Sequence, residues 1–166
     1  SDGRKIDNPK YFRKSERKLA RLQRRLSRKK KGSHNRGKAK AKVIRLHDKI
    51  ANQRKDFLHK ASYRIVQQYD FIAVEDLAVK NMVKHRCLSK SISDAGWGKF
   101  SQYLEYKCLK YGKAFVKVPP GGTSQTCICD AHVPKDLSVR VHKCPECGLT
   151  ADRDVVSAMV ILQTAS

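Results

Sequence analysis

The 166-residue sequence predicts a mixed α/β protein with three parts: a long basic antiparallel helical hairpin, an incomplete sheet, and a small cysteine-based zinc ribbon. Three observations carry this. Residues 10–60 hold 21 of the 37 Lys and Arg residues and only three acids (Glu16, Asp48, Asp56), and their apolar residues recur at helical spacing. Two short apolar runs, Phe71 to Val74 and Ala114 to Val118, read as strands. Four of the six cysteines fall in two tight pairs between Cys127 and Cys147, the clustering of a metal site.

The first helix is expected just after Asn8, a capping residue, with Pro9 at the first helical position. Its apolar stripe is Phe12, Leu19, Leu22 and Leu26. Gly32 to Gly37 reads as a loop, and Val43, Leu46, Ile50, Phe57, Ala61 and Ile65 form the stripe of a second helix. Two helices with narrow apolar faces and a short connection close into a hairpin. Opposite those stripes stand Arg17, Arg21, Arg24, Arg25, Arg28, Lys38, Lys42, Arg45 and Arg54. A merely solvated face mixes signs of charge, and this one hardly does. These residues are therefore candidates for gripping a nucleic-acid backbone.

The run Phe71 to Val74 delivers Glu75 at the strand end. Residues 78–94 are polar and read as an irregular, mobile loop. A third helix is expected from Trp97 to Tyr111, with Trp97, Phe100, Leu104, Cys108 and Tyr111 on one face. The strand Ala114 to Val118 stops at Pro119-Pro120-Gly121-Gly122. A last helix from Asp154 to Gln163 should turn Val155, Met159 and Ile161 or Leu162 inward, and an edge-strand remnant is expected in residues 1–6.

The formal net charge of +22 and pI near 10.1 call for a polyanionic partner, and nucleic acid is the first candidate. An anionic membrane is disfavoured, because no apolar run approaches the length of a spanning helix. The opening Ser1-Asp2-Gly3-Arg4-Lys5 has neither Met nor an apolar signal segment. That start suits a segment of a larger, cytoplasmic, nucleoid-associated protein.

Zinc favours four tetrahedral ligands supplied by two knuckles. Cys144-Pro145-Glu146-Cys147-Gly148 is one knuckle; Cys127-Ile128-Cys129 is a shortened partner, with Asp130 and His132 as substitutes if Cys129 points away. Four ligands leave no open position, so this zinc is expected to be structural. The isolated Cys87 and Cys108 are expected to be small buried hydrophobes. Glu75 at a strand end, with Asp152 and Asp154 at a helix start, has the composition of a divalent-cation site. The two aspartates also suit a helix N-terminus on their own.

Six stretches resemble the TnpB (OrfB-type) family of transposon-encoded proteins, relatives of the type V CRISPR effectors. Thr123-Ser124-Gln125-Thr126-Cys127, Cys144-Pro145-Glu146-Cys147-Gly148 and Asp152-Arg153-Asp154 together are similar to that family's ending. Val74-Glu75-Asp76-Leu77 resembles its middle RuvC motif. Leu19 to Arg28 and Asn52 to Lys60 resemble its inserted hairpin. The resemblance implies an RNA-guided DNA endonuclease with an RNase H-like (RuvC) core, guide RNA and target DNA as partners, and Glu75 and Asp154 as catalytic carboxylates for Mg²⁺ or Mn²⁺. It divides the chain into residues 1–68 (N-terminal remnant and hairpin), 69–122 (RuvC core segment), 123–150 (zinc ribbon) and 151–166 (final RuvC helix). The family's leading catalytic aspartate precedes the Ser1-Asp2-Gly3 turn and has no counterpart here, and its usual Asn after Asp154 is Val156. The expectation is therefore a nuclease segment inactive alone. The alternative is a non-enzymatic, nuclease-dead zinc-ribbon RNA or DNA binder. A basic structural zinc-ribbon protein is a third reading, and the acidic motifs argue against it.

Overall fold

The structure, a computed structural model, describes residues 2–136 and 138–166. In chain order its elements are α1 (Tyr11–Ser27), α2 (His34–Gln68), β1 (Phe71–Glu75), α3 (Val79–Met82), α4 (Ser89–Ala95), α5 (Trp97–Lys110), β2 (Ala114–Val118), β3 (Val141–Lys143), β4 (Thr150–Asp152) and α6 (Arg153–Ala165). They fall into two compact units. A helical unit comprises Asp7–Ser62 and Val79–Tyr103, and a sheet unit comprises Ser1–Ile6, Tyr63–Ala78 and Leu104–Ser166.

In the helical unit, α1 and α2 form the expected hairpin. Leu19 buries against Val43, Leu46 and Ile50, with Phe12, Leu22 and Leu26 packed around them. The run is antiparallel. Tyr11 at the start of α1 meets the Phe57 ring edge-on at 6.5 Å, while Arg36 near the start of α2 donates to the Leu26 and Lys29 carbonyls at the far end. The loop is shorter than Gly32 to Gly37, because α2 already begins at His34. Beyond Ile50 the buried face of α2 drifts to Leu58, Ala61, Ser62 and Val66, so Phe57 and Ile65 are only half-buried. Over a helix of 35 residues, a stripe fixed at one spacing rotates off a straight 3.6-residue face.

Two expectations fail at the start of α1. The helix begins at Tyr11, after Lys10 in the left-handed region (φ 55°), and Asn8 accepts from the Lys10 N–H at 3.0 Å in a local turn. The cap comes from a distant residue instead. Asp94 accepts the Phe12 and Arg13 N–H groups at 2.9 and 3.2 Å. Asp94 lies in the last turn of α4, so residues 78–94 are no irregular loop: they carry α3 and most of α4. Ser91 and Lys90 add side-chain bonds to Arg13 and Glu16. α4 ends at Gly96 (φ 71°), where a Cβ would come within 3.0 Å of Leu58 and strain the left-handed backbone.

In the sheet unit, β1 and β2 pair in parallel, from Phe71 opposite Ala114 to Glu75 opposite Val118. Both strands match the predicted runs. α6 packs on both. Its buried residues are Val156 and Val160, so the inward face lies one position away from the predicted Val155, Met159 and Ile161 or Leu162. The helix itself starts at Arg153, one residue before the expected Asp154, and Asp152 caps it, accepting from the Asp154 N–H at 2.9 Å. On α5, Leu104 and Cys108 are buried as expected, whereas Trp97 and Tyr111 at its ends are exposed. Cys87 is likewise exposed, against expectation. Residues 2–6 form no strand. They run irregularly, tied down where Tyr69 Oη donates to Asp2 (2.7 Å) and Lys5 pairs with Asp152 (2.7 Å). Among the described residues, no helix is long and apolar enough to cross a membrane.

Candidate metal centre and carboxylate cleft

β3 and β4 pair antiparallel, with Val141 opposite Asp152, and a bridge joins Thr126 to His132. These pairings aim two turns at one point. In the second turn the Gly148 N–H returns to the Cys144 carbonyl (3.2 Å), with Gly148 at φ 73°. In the first, the Asp130 N–H returns to the Cys127 carbonyl (3.0 Å) and Asp130 itself adopts φ 65°. Aspartate tolerates that region better than most residues. This left-handed turn is how a pair one residue short still presents both sulfurs.

The Sγ atoms of Cys127, Cys129, Cys144 and Cys147 all lie within 4.8 Å of one another. Cys127–Cys147 and Cys129–Cys144 are each separated by 3.6 Å. Four sulfurs about 2.3 Å from a tetrahedral zinc stand about 3.8 Å apart, so the donor set fits the ion. Cys129, not Asp130 or His132, completes the cluster. The Cys147 and Glu146 backbone N–H groups hold the Cys144 thiol down at about 7, against the opposing pull of burial.

The ribbon forms one wall of a cleft of about 560 Å³. Glu75, at the C-terminal end of β1, and Asp154, in the first turn of α6, both line it, together with Thr123, Gln125, Asp136 and Arg153. Thr123 Oγ1 donates to Glu75 Oε1 at 3.1 Å. Asp154 is exposed and pairs with Arg153 at 3.2 Å. Asp152 is engaged elsewhere: the Lys5 ammonium and the Asp154 N–H hold its carboxyl below the usual range. Asp136 was invisible to sequence reading, since it sits in a polar stretch with no motif. Ser138 binds its carboxylate and lowers its pKa. Among the described residues, only the four cysteines converge closely enough to form a ready-made metal cage. The oxygen donors of the cleft suit a hard divalent cation, which takes one or two protein carboxylates and completes its shell with water and phosphate oxygens.

The basic residues take two roles. Arg17, Arg21, Arg24, Arg25, Arg28, Lys38, Lys42 and Arg45 are exposed. Arg21, Arg24, Arg25 and Arg28 share one depression along α1. Arg25, Arg28, Lys38 and Lys42 line a groove of about 600 Å³ between the helices, which Lys29 and Asn35 extend. Arg54 departs from this set. It is half-buried, donates to the Ser93 carbonyl (2.9 Å) and faces Asp94 at 3.9 Å. It ties α2 to α4 instead of standing in the cationic surface.

Comparison with known families agrees with this layout. Residues 1–86 match the OrfB_IS605 family, described as a probable transposase, and residues 97–161 match the Cas12f1-like TNB domain. The chain is 44% identical over 167 residues to a Streptomyces pristinaespiralis protein named "Putative RNA-guided DNA endonuclease", covering 98% of this chain and 41% of that protein. It is 41% identical over 179 residues to InsQ of Escherichia coli K12, which bears the same description, covering 98% of this chain and 44% of InsQ. A TnpB-like protein, L79 of Acanthamoeba polyphaga mimivirus, is 31% identical over 145 residues, 83% of this chain and 27% of L79. The chain thus spans less than half the length of these relatives. A basic helical hairpin, a four-cysteine ribbon and a matching family model over residues 1–86 converge: the chain belongs to the OrfB_IS605 family of TnpB-type proteins.

Proposed function

We propose that this chain is the nuclease-core segment of a TnpB-type RNA-guided DNA endonuclease. In this reading the β1–β2–α6 assembly is part of an RNase H-like (RuvC) core. The observation that carries it is the shared cleft of Glu75 and Asp154, two acids far apart in sequence and brought together by β1 and the start of α6. When bound there, Mg²⁺ or Mn²⁺ supplies the activation of water and the neutralisation of a leaving phosphate oxygen. The protein's own contribution is to hold Glu75 at a strand end and Asp154 at a helix start. Thr123 orients the first. Arg153, beside Asp154 on the cleft wall, offers a guanidinium to phosphate. The ribbon, built on structural zinc, walls the site.

The exposed arginines and lysines of α1 and early α2 bind guide RNA and target DNA through phosphates and shape, and leave sequence reading to base pairing. A nucleoid-associated location follows from that binding. With two of the three carboxylates the family uses, the segment by itself cuts poorly or not at all.

The test is an Mn²⁺-dependent assay on single-stranded DNA, paired with binding measurements. Residual cutting that disappears in Glu75→Gln supports the nuclease reading. No cutting and no divalent-cation binding in the cleft, alongside tight and steeply salt-dependent binding of structured RNA, would leave a zinc-ribbon binder without nuclease chemistry.

A further inference from the structure

The ribbon does more than wall the cleft, because one of its residues bonds directly to a cleft carboxylate. Thr123 Oγ1 donates to Glu75 Oε1 at 3.1 Å. Thr123 lies between the Pro119-Pro120 stop of β2 and the first zinc-ligand candidate, Cys127. This stretch is tightly bonded. The Gln125 N–H returns to the Gly122 carbonyl (2.7 Å), and Thr126 Oγ1 bonds the same carbonyl (3.0 Å). The Val133 N–H donates to the Gln125 carbonyl at 2.7 Å, and the Cys127 N–H to that of Ala131 at 3.0 Å. The Gln125 amide reaches the Lys135 carbonyl at 3.2 Å. Thr123 is thus presented by the same turns that converge the cysteines.

We propose that Thr123 is a positioning residue: its hydroxyl fixes the Glu75 carboxylate so that the cleft takes up a divalent cation, and the ribbon fold sets where that hydroxyl stands. The hydroxyl occupies one carboxylate oxygen and leaves the other to a cation. Without it, a half-exposed glutamate at a strand end samples several rotamers, and each cation bound must first order it. Partners that orient a metal-binding carboxylate are typically worth roughly 10-fold or more in affinity. The inference rests on the cleft reading above, and its test separates the two.

The experiment is Mn²⁺ titration of the zinc-loaded 166-residue chain by calorimetry, comparing wild type with Thr123→Val, Thr123→Ser and Glu75→Gln. Zinc content and far-UV circular dichroism are followed in parallel. Thr123→Val is expected to weaken Mn²⁺ binding roughly 10-fold with zinc content unchanged, and Thr123→Ser, which keeps the hydroxyl, to restore it. A merely structural role would not discriminate serine from valine in this way. If Thr123→Val binds Mn²⁺ like the wild type while Glu75→Gln loses binding, the positioning role is overturned and the cleft stands. If the wild type binds no Mn²⁺, or Glu75→Gln binds it equally well, the cleft reading falls and the inference with it.

Discussion

Replacing Asp94 by alanine tests whether a residue at the end of α4 holds the start of α1. The Asp94 side chain is 1% exposed and accepts two N–H groups of the first turn of α1, at 2.9 and 3.2 Å. No local residue substitutes, since Lys10 at the cap position makes no side-chain bond. Losing such a cap costs about 1–2 kcal/mol. The same change strips Arg54 of its facing carboxylate, 3.9 Å away, and Arg54 Nε is already buried without a hydrogen-bond partner. The Arg54 side chain is 28% exposed, so this loss is discounted to about 1 kcal/mol. Asp94→Ala should therefore destabilise the helical unit by about 2–3 kcal/mol. Asp94→Asn, which keeps an acceptor oxygen without the charge, should cost about half as much. Urea unfolding read by the fluorescence of Trp97, the single tryptophan, reports this unit directly. A change under about 0.5 kcal/mol for Asp94→Ala would refute the trans-cap, since that is the level of an inert surface substitution.

Metal analysis should find one zinc per chain, and Cys147→Ser should lose both the zinc and the ribbon's amide protection; well under one zinc in the wild type would reject the centre. Replacing Arg21, Arg24, Arg25 and Arg28 with glutamine should weaken binding across unrelated sequences. It should also lower the log–log salt slope by roughly three, at about 0.7–0.9 per phosphate contact; an unchanged slope would place the nucleic acid elsewhere. The Lys5–Asp152 pair makes a pH prediction. Asp152 titrates below its ordinary 3.8 when folded, so the pair's stabilisation is present above that value and is lost as pH falls through the folded value. Wild type and Lys5→Met should therefore differ in melting temperature at neutral pH and converge in acid. A gap that persists there would show that lost packing, not the ion pair, separates them.

The features legible in the sequence were those that local chemistry dictates. The strands Phe71–Glu75 and Ala114–Val118 are short apolar runs with clear stops, and they pair over those same residues. Leu19, Val43, Leu46 and Ile50 announced the hairpin core by period alone. The cysteine spacing announced the metal centre, although a Cys-x-Cys pair left Asp130 and His132 open until the left-handed turn at Asp130 showed how Cys129 reaches the cluster. What stayed hidden depends on partners remote in sequence. Residues 78–94 look irregular because α3 and α4 have few apolar residues, and their anchor is one aspartate bonded to a helix some eighty residues earlier. Arg54 looked like its cationic neighbours until Ser93 and Asp94 claimed it. The last helix runs from Arg153 to Ala165, longer at both ends than the expected Asp154 to Gln163, and it buries Val156 and Val160, which face the sheet through tertiary packing that no local spacing announces. Val156, where the family usually has Asn, is 1% exposed and packs as a core residue.

The most direct measurement of the central claim is the map of Mn²⁺-induced line broadening across the backbone amides of the zinc-loaded chain. Broadening is expected to centre on Glu75, Thr123, Asp154 and Ser157, the walls of one cleft, with loss of that pattern in Glu75→Gln and in Asp154→Asn. Broadening that misses those residues, or that survives both substitutions, would contradict the claim that this chain carries a divalent-cation cleft for phosphodiester chemistry.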